Sequence, residues 1–240
     1  MTVTFAKLGQ YGRLGNMLWQ ISATISHALK YNDTFLFPDW DQKSLFNIPH
    51  TAFTQKLATL RTSEEPHFHY SPIPYWGSMN LHGYYQSYLY WQDHKDIIKQ
   101  YLTPTLQVGN INKTALHVRR TDYLTHKGCY QILDRTNYYD KALEHISPKE
   151  VLIFSDDIAW CKSQFTENMF EFSEVENEVY DLANMISCEN VIIANSSFSW
   201  WGAYLNAHNN KVVVAPKRWF GPQLSMHNTK DLIPPEWISV

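Results

Sequence analysis

The chain has 240 residues, enough to bury about 70% or more of its unfolded surface in a real core. Apolar residues make up 44%, aromatic residues 15% and charged residues only 18%, which excludes a disordered chain and a coiled coil. Twenty Lys and Arg stand against 23 Asp and Glu, a net charge of −3, so no broad basic surface is available for nucleic acid.

Val3 to Leu8 reads as an apolar strand, followed by a glycine-bearing turn. From Asn16 to Lys30, Leu18, Trp19, Ser22, Ile25 and Leu29 recur at helical spacing. Thr34 to Phe37 is β-rich and closed by Pro38; residues 41 to 101, with Pro49, Pro66, Pro72 and Pro74, suggest short strands and loops, with a helix over His94–Tyr101. Beyond Pro104 the pattern sharpens. Strands are expected at Ala115–Val118, Val151–Phe154, Met169–Phe172, Val191–Ala194 and Val212–Ala215. Helices are expected at Asn137–Ile146, with Asn137 as N-cap, and at Ile158–Phe165, Glu176–Ser187 and Phe198–Asn206. Strands alternating with helices of this length indicate βαβ units, hence an α/β fold on parallel sheets. Residues 102–112 (LTPTLQVGNIN) read as a boundary, giving α/β halves 1–105 and 106–240 with a cleft between them.

Four segments carry chemistry. Gly9, Gly12 and Gly15 fall within seven residues of GQYGRLGN, between a strand and a helix, where free N–H groups favour an anion; a tight turn that binds nothing is the plainer reading. In HVRRTDY, a strand delivers His117, Arg119, Arg120 and Asp122 to its carboxyl end. Two guanidinium groups there suit a diphosphate. Arg119 is read as a ligand contact and Arg120 as pairing with a carboxylate. In FSDDIAWCK, Ser155, Asp156 and Asp157 open a helix; one is enough for a cap, and a second carboxylate could accept from guanine N1 and N2. In NSSFSWWGAYLN, Asn195, Ser196 and Ser197 sit at a helix start, as caps or as a phosphate cradle, and at least one of Trp200 and Trp201 is expected in the core.

GRLGN before a helix, HVRRTDY, NYYDKALEHI, FSDDIAWCK and NSSFSWWGAYLN, in this order, resemble glycosyltransferase family 11, whose members are largely α-1,2-fucosyltransferases using GDP-fucose. The resemblance runs from residue 9 to about 220. It implies a GT-B-like fold of two Rossmann-like halves and an inverting, metal-independent transfer of L-fucose from GDP-fucose to the 2-hydroxyl of a terminal β-galactoside on a glycan acceptor, with no cofactor. By position, Arg119 resembles the arginine that meets the donor's β-phosphate, and His117 with Asp156 or Asp157 the guanine-side contacts. Ser196 and Ser197 resemble further phosphate contacts, and Gly12, Gly15 and Asn16 the glycine loop facing the donor. Thr121 stands where the family often has glycine. Asp122 is a candidate to take the acceptor's proton, an internal salt bridge being the other reading.

A metal-dependent reading would rest on the D-x-D of Asp39-Trp40-Asp41, which Pro38 marks as an exposed turn, or on His67 and His69, which have no third ligand at suitable spacing. The same segments would also serve a fucosyltransferase with a different linkage or acceptor, or a binding module that transfers nothing. Three widely spaced cysteines form neither a disulfide framework nor a zinc knuckle, and no signal-peptide pattern or 18-residue apolar run is present. A cytoplasmic chain without a nucleic-acid partner is therefore expected, with peripheral association at a membrane left open.

Overall fold

A computed structural model describes residues 1–175 and 177–240. The chain divides into two compact units, Met1–Thr105 with Asn228–Pro234, and Leu106–His227 with Pro235–Val240. Each is an α/β unit built on a parallel sheet.

In the first unit the strands are β1 (Thr2–Thr4), β2 (Thr34–Pro38), β3 (Phe53–Thr54), β4 (Thr62–Glu64) and β5 (Met79–His82), in the order β3-β2-β1-β5-β4, all parallel. Helix α1 (Leu14–Lys30) follows β1, and α2 (Lys95–Leu102) closes the unit. α1 is buried around most of its circumference, so its polar side chains need local partners. The Ser22 and Thr24 hydroxyls donate back to the carbonyls of Leu18 and Gln20, four residues earlier. Trp19 of α1 packs on Trp91 at 4.7 Å between ring centres.

The stretch around β5 shows why this half is hard to read. Met79-Asn80-Leu81-His82 has no β-branched residue, yet it is a central strand. Its Asn80 amide binds three neighbours: Oδ1 accepts from Thr4 Oγ1 and the Ala6 N–H, and Nδ2 donates to Thr62 Oγ1. The segment Asn228–Pro234, placed by the sequence in the second half, folds with the first. Its Asp231 carboxylate accepts the Tyr70 N–H at 2.9 Å, a contact between residues 161 apart that no local pattern announces.

In the second unit the strands are β6 (Ile111–Val118), β7 (Val151–Ser155), β8 (Phe170–Phe172), β9 (Cys188–Ile192), β10 (Val213–Ala215) and β11 (Ile238–Ser239). Their order is β11-β10-β9-β6-β7-β8, all parallel. The chain runs outward from β6 through β7 to β8, returns to the far side of β6, and runs outward again from β9 to β11. That is the doubly wound Rossmann order, with its topological switch point between β6 and β9. The helices are α3 (Thr121–Thr125), α4 (Asp140–Ile146), α5 (Ile158–Gln164), α6 (Glu178–Ile186) and α7 (Ser197–Leu205). The α6 start expected at Glu176 lies outside the described residues; Asn177 caps the observed helix by accepting from the Val179 N–H.

One expected cap is corrected. A single π-helical turn over Arg135–Tyr139 precedes α4, and the cap is Asp134. Asn137 is the third residue of a capping box: Asp134 accepts its N–H, and its side chain accepts from the Asp134 N–H. Trp200 and Trp201 are both fully buried, and Gly202 beside them lets α7 approach α6, since a Cβ there would lie 2.2 Å from Met185 Sδ.

Candidate functional site

In an open parallel sheet, ligands bind outside the carboxyl ends of the strands at the switch point. In the second unit, β6 ends there at Val118 and β9 at Ile192, so HVRRTDY and NSSF are the segments that flank it. The parallel register pairs Val118 with Ser155, which sets Arg119 and Arg120 beside Asp156 and Asp157 of the next strand end.

Asp156 is the hub. Its Oδ1 accepts the Arg120 N–H at 2.9 Å, and its Oδ2 accepts the Thr121 N–H at 3.2 Å and the Thr121 hydroxyl. Arg119 Nη1 lies 3.0 Å from the same Oδ2. Burial would raise this carboxyl's pKa, but the Thr121 hydroxyl, the Arg119 guanidinium and the Arg120 N–H outweigh it and hold Asp156 below the usual carboxylate range. It is therefore an anion fixed at the turn between β6 and α3.

Arg119 has a second partner. Its Nη2 is 2.7 Å from the carboxylate of Asp122 in the first turn of α3. The Asp122 side chain is 48% exposed, against 15% for Asp156 and 11% for Arg119. The guanidinium also rests 5.5 Å from the Tyr123 ring, which stacks on Tyr130 at 4.0 Å. The buried Tyr123 hydroxyl donates to the Asn195 carbonyl at 2.8 Å, tying α3 to the end of β9. Arg120 turns the other way. It lies 3.8 Å over the Trp160 ring, with Nε 3.4 Å from Asp157 Oδ2. Asp157 also caps α5 by accepting the Trp160 N–H.

On the other flank, His117 is buried with its ring 5.5 Å from Phe198. The Asn195 amide donates to the carbonyls of Gln131 and Trp219, so it ties two loops to the strand end rather than reaching outward. Ser196 is the N-cap residue of α7 in extended conformation, and its hydroxyl makes no capping bond. The first turn of α7, which includes Ser197, holds no acidic residue, so that helix end keeps its positive character.

The glycine loop belongs to the first unit, at the carboxyl end of β1. Gly12 has φ +79°, and a Cβ there would lie 2.5 Å from the Asn16 side chain. Asn16 Oδ1 accepts from Gln86 Nε2 at 2.7 Å, and Gly15 is buried in the first turn of α1. The second unit thus gathers His117, Arg119, Arg120, Asp122, Asp156, Asp157, Asn195, Ser196 and Ser197 at the carboxyl ends of β6, β7 and β9; in the first unit Gly12 lies in the loop before α1, and Gly15 and Asn16 in the first turn of that helix.

Four contributors escape a reading of the sequence: Thr121, Tyr123, Tyr130 and Trp160. Trp160 stands three residues after the cap Asp157, a spacing that does mark a first-turn neighbour. Tyr130 carries no local signal. Of the residues a metal-dependent reading would use, Asp39 pairs with Lys43 and Trp40 is buried, while His67 and His69 stack ring on ring at 5.1 Å. No group of three or more His, Cys, Asp or Glu among the described residues is placed to hold an ion.

A Rossmann-type sheet with an arginine held at its switch point defines an α/β protein suited to an anionic ligand. The chain belongs to glycosyltransferase family 11, whose model matches residues 12–240. It is 38% identical over 119 residues to the O-antigen biosynthesis glycosyltransferase WbnK of Escherichia coli, covering 45% of this chain and 39% of that one. It is 29% identical over 161 residues to an Escherichia coli alpha-1,2-colitosyltransferase, covering 58% and 56%. It is 26% identical over 139 residues to the galactoside 2-alpha-L-fucosyltransferase Sec1 of Mus musculus, covering 52% and 37%. The chain spans about half or less of the length of these curated relatives.

Proposed function

We propose that this protein transfers L-fucose from GDP-fucose to the 2-hydroxyl of a terminal β-galactoside, with inversion and without a divalent metal. The observation that carries the reading is Arg119, the guanidinium at the carboxyl end of β6 beside the switch point, held by Asp156 on one side and by the exposed Asp122 on the other. Family membership and the name of the galactoside 2-alpha-L-fucosyltransferase relative support it.

Breaking the bond between fucose C1 and the phosphate oxygen builds negative charge on the departing GDP. A preorganised cation and helix-end N–H groups stabilise that charge at no cost in reorganisation. Arg119 supplies the cation, and the amino end of α7 behind Ser196 supplies the N–H groups. The acceptor hydroxyl attacks C1 from the face opposite the leaving phosphate, which inverts the anomeric centre, and gives its proton to a carboxylate or to water. Asp122 is the carboxylate of this cluster most open to solvent. In a loose, oxocarbenium-like transition state the demand on that base is small.

The test is GDP release from GDP-fucose with lactose, against acceptor-free controls and in excess EDTA. Release that needs lactose and survives EDTA supports the proposal; no release with any β-galactoside contradicts the acceptor, and loss in EDTA contradicts the metal-free chemistry. The alpha-1,2-colitosyltransferase relative favours a second reading, in which the transferred sugar is colitose. Competition between the two donors for one acceptor separates them. The absence of a helix long and apolar enough to cross a membrane, among the described residues, is compatible with either reading.

A further inference from the structure

The two carboxylates on Arg119 are not equivalent. Asp156 is largely buried, and it receives two backbone N–H groups and a hydroxyl from the Arg120–Thr121 turn as well as Arg119 Nη1. It cannot leave without abandoning the turn that ends β6. Asp122 is nearly half exposed and sits on α3, a helix of only five residues; its carboxylate meets Arg119 Nη2. An anionic ligand reaching Arg119 from solvent meets Asp122, not Asp156.

We propose that Asp156 is a positioning residue that aims Arg119, and that Asp122 occupies the place on Arg119 that the donor's diphosphate takes when it binds. This rests on the donor reading above and deepens it. Guanidinium groups bind phosphate and carboxylate with the same fork geometry, so a carboxylate is a fair stand-in for a phosphate oxygen. Asp156 is then committed to the arginine and its turn, and does not read guanine. Exchange also leaves Asp122 free beside the departing phosphate once the donor is seated.

The experiment titrates the whole protein with GDP and with IDP, which lacks the guanine 2-amino group, in wild type, Asp156→Asn, Thr121→Val and Asp122→Asn. Circular dichroism checks each fold. Asp156→Asn weakens GDP and IDP by the same factor, about tenfold or more, because the phosphate contact is worth a charge-assisted bond. The GDP-to-IDP preference stays as in wild type, whereas kcat for GDP-fucose falls. Thr121→Val removes one hydroxyl donor to Asp156 and shifts the same quantities in the same direction by less; it carries the test if Asp156→Asn does not fold. Asp122→Asn binds both nucleotides about two- to fivefold more tightly, the size of an exposed ion pair that no longer has to be broken.

A drop in GDP-to-IDP preference in Asp156→Asn would show that this carboxylate reads the base and would overturn the proposal. Unchanged nucleotide affinity in both Asp156→Asn and Thr121→Val would also overturn it, and so would weaker GDP binding by Asp122→Asn. Wild-type protein that binds neither GDP nor IDP would refute the donor reading itself. GDP bound by wild type with the variants behaving otherwise refutes only the exchange.

Discussion

Gly12→Ala tests the glycine loop most sharply, because two separate costs fall on one methyl group. Gly12 sits at φ +79°, where a non-glycine residue is strained by about 1 to 3 kcal/mol. The new Cβ would also lie 2.5 Å from Asn16 Cβ and Nδ2. Asn16 has to turn aside, and its 2.7 Å bond from Gln86 Nε2, worth about 1 kcal/mol, goes with it. Together these come to roughly 2 to 4 kcal/mol. At about 2–4 °C per kcal/mol for a chain of this size, the apparent melting temperature falls by roughly 5–15 °C. Thermal unfolding followed by circular dichroism measures it. Gly109→Ala is the control: a Cβ there meets nothing within 4 Å, so its melting temperature stays level or rises slightly. Gly12→Ala melting with wild type, while Gly109→Ala also does, would refute both the backbone strain and the crowding at Asn16.

Asn195→Ala takes the side-chain donor from the buried Trp219 carbonyl and from the half-buried Gln131 carbonyl, at a cost of about 2 kcal/mol; denaturant unfolding should show this loss while the GDP-to-IDP preference holds, and a stable variant with altered preference would place Asn195 among the ligand contacts instead. Two groups, the half-buried Glu65 and the buried His27, set opposite pH limbs. Burial pushes Glu65 up to about 7, against the amides of Tyr85 and Tyr84, so in the folded state it holds a proton that the unfolded chain has released; its contribution is complete below about 4.5 and is lost as pH rises through 7. Burial, with Lys30 nearby, lowers His27 to about 4, so its contribution is complete above 6.5 and is lost as pH falls toward 4. Urea midpoints across pH 4–8 should decline on the acid side in wild type, and His27→Leu should flatten that limb alone; an unchanged acid limb in the variant would contradict the assignment.

What can be read in the chain follows from what is local. Alternating apolar runs and helical periods place α1, α5, α7 and the strands β6, β7 and β10 to within a few residues, because each buries a face that repeats along the sequence. The apolar run sets β9 about two to three residues late, since the strand begins at Cys188-Glu189-Asn190, a polar start to a central strand. β4 and β5 stay hidden because Thr62-Ser63-Glu64 is short and polar and Asn80 satisfies its buried amide with partners far off in the chain. The cap at Asp134 is hidden by the extra π-helical turn, which moves the helix start back from Asn137.

At the site, the residue types are legible and their relations are not. The sequence shows that two arginines and two aspartates lie at neighbouring strand ends. Only the register of Val118 with Ser155 shows that Asp156 grips the Arg119–Arg120–Thr121 turn while Asp157 turns to Arg120 and α5. The guanine role expected of these carboxylates competes with those bonds. For Asp122, the salt bridge that stands beside the proton-acceptor reading is the contact observed. Asn195 looks like an outward ligand group because it stands beside Ser196 and Ser197, but its amide faces two loops.

In the proposed function Arg119 meets the donor's terminal phosphate. Titration of wild type and Arg119→Ala with GDP, GMP and guanosine tests it directly. The variant should lose most of the advantage of GDP over GMP, with guanosine binding unchanged and the melting temperature within a few degrees of wild type. A folded Arg119→Ala protein that still prefers GDP to GMP as wild type does would contradict it.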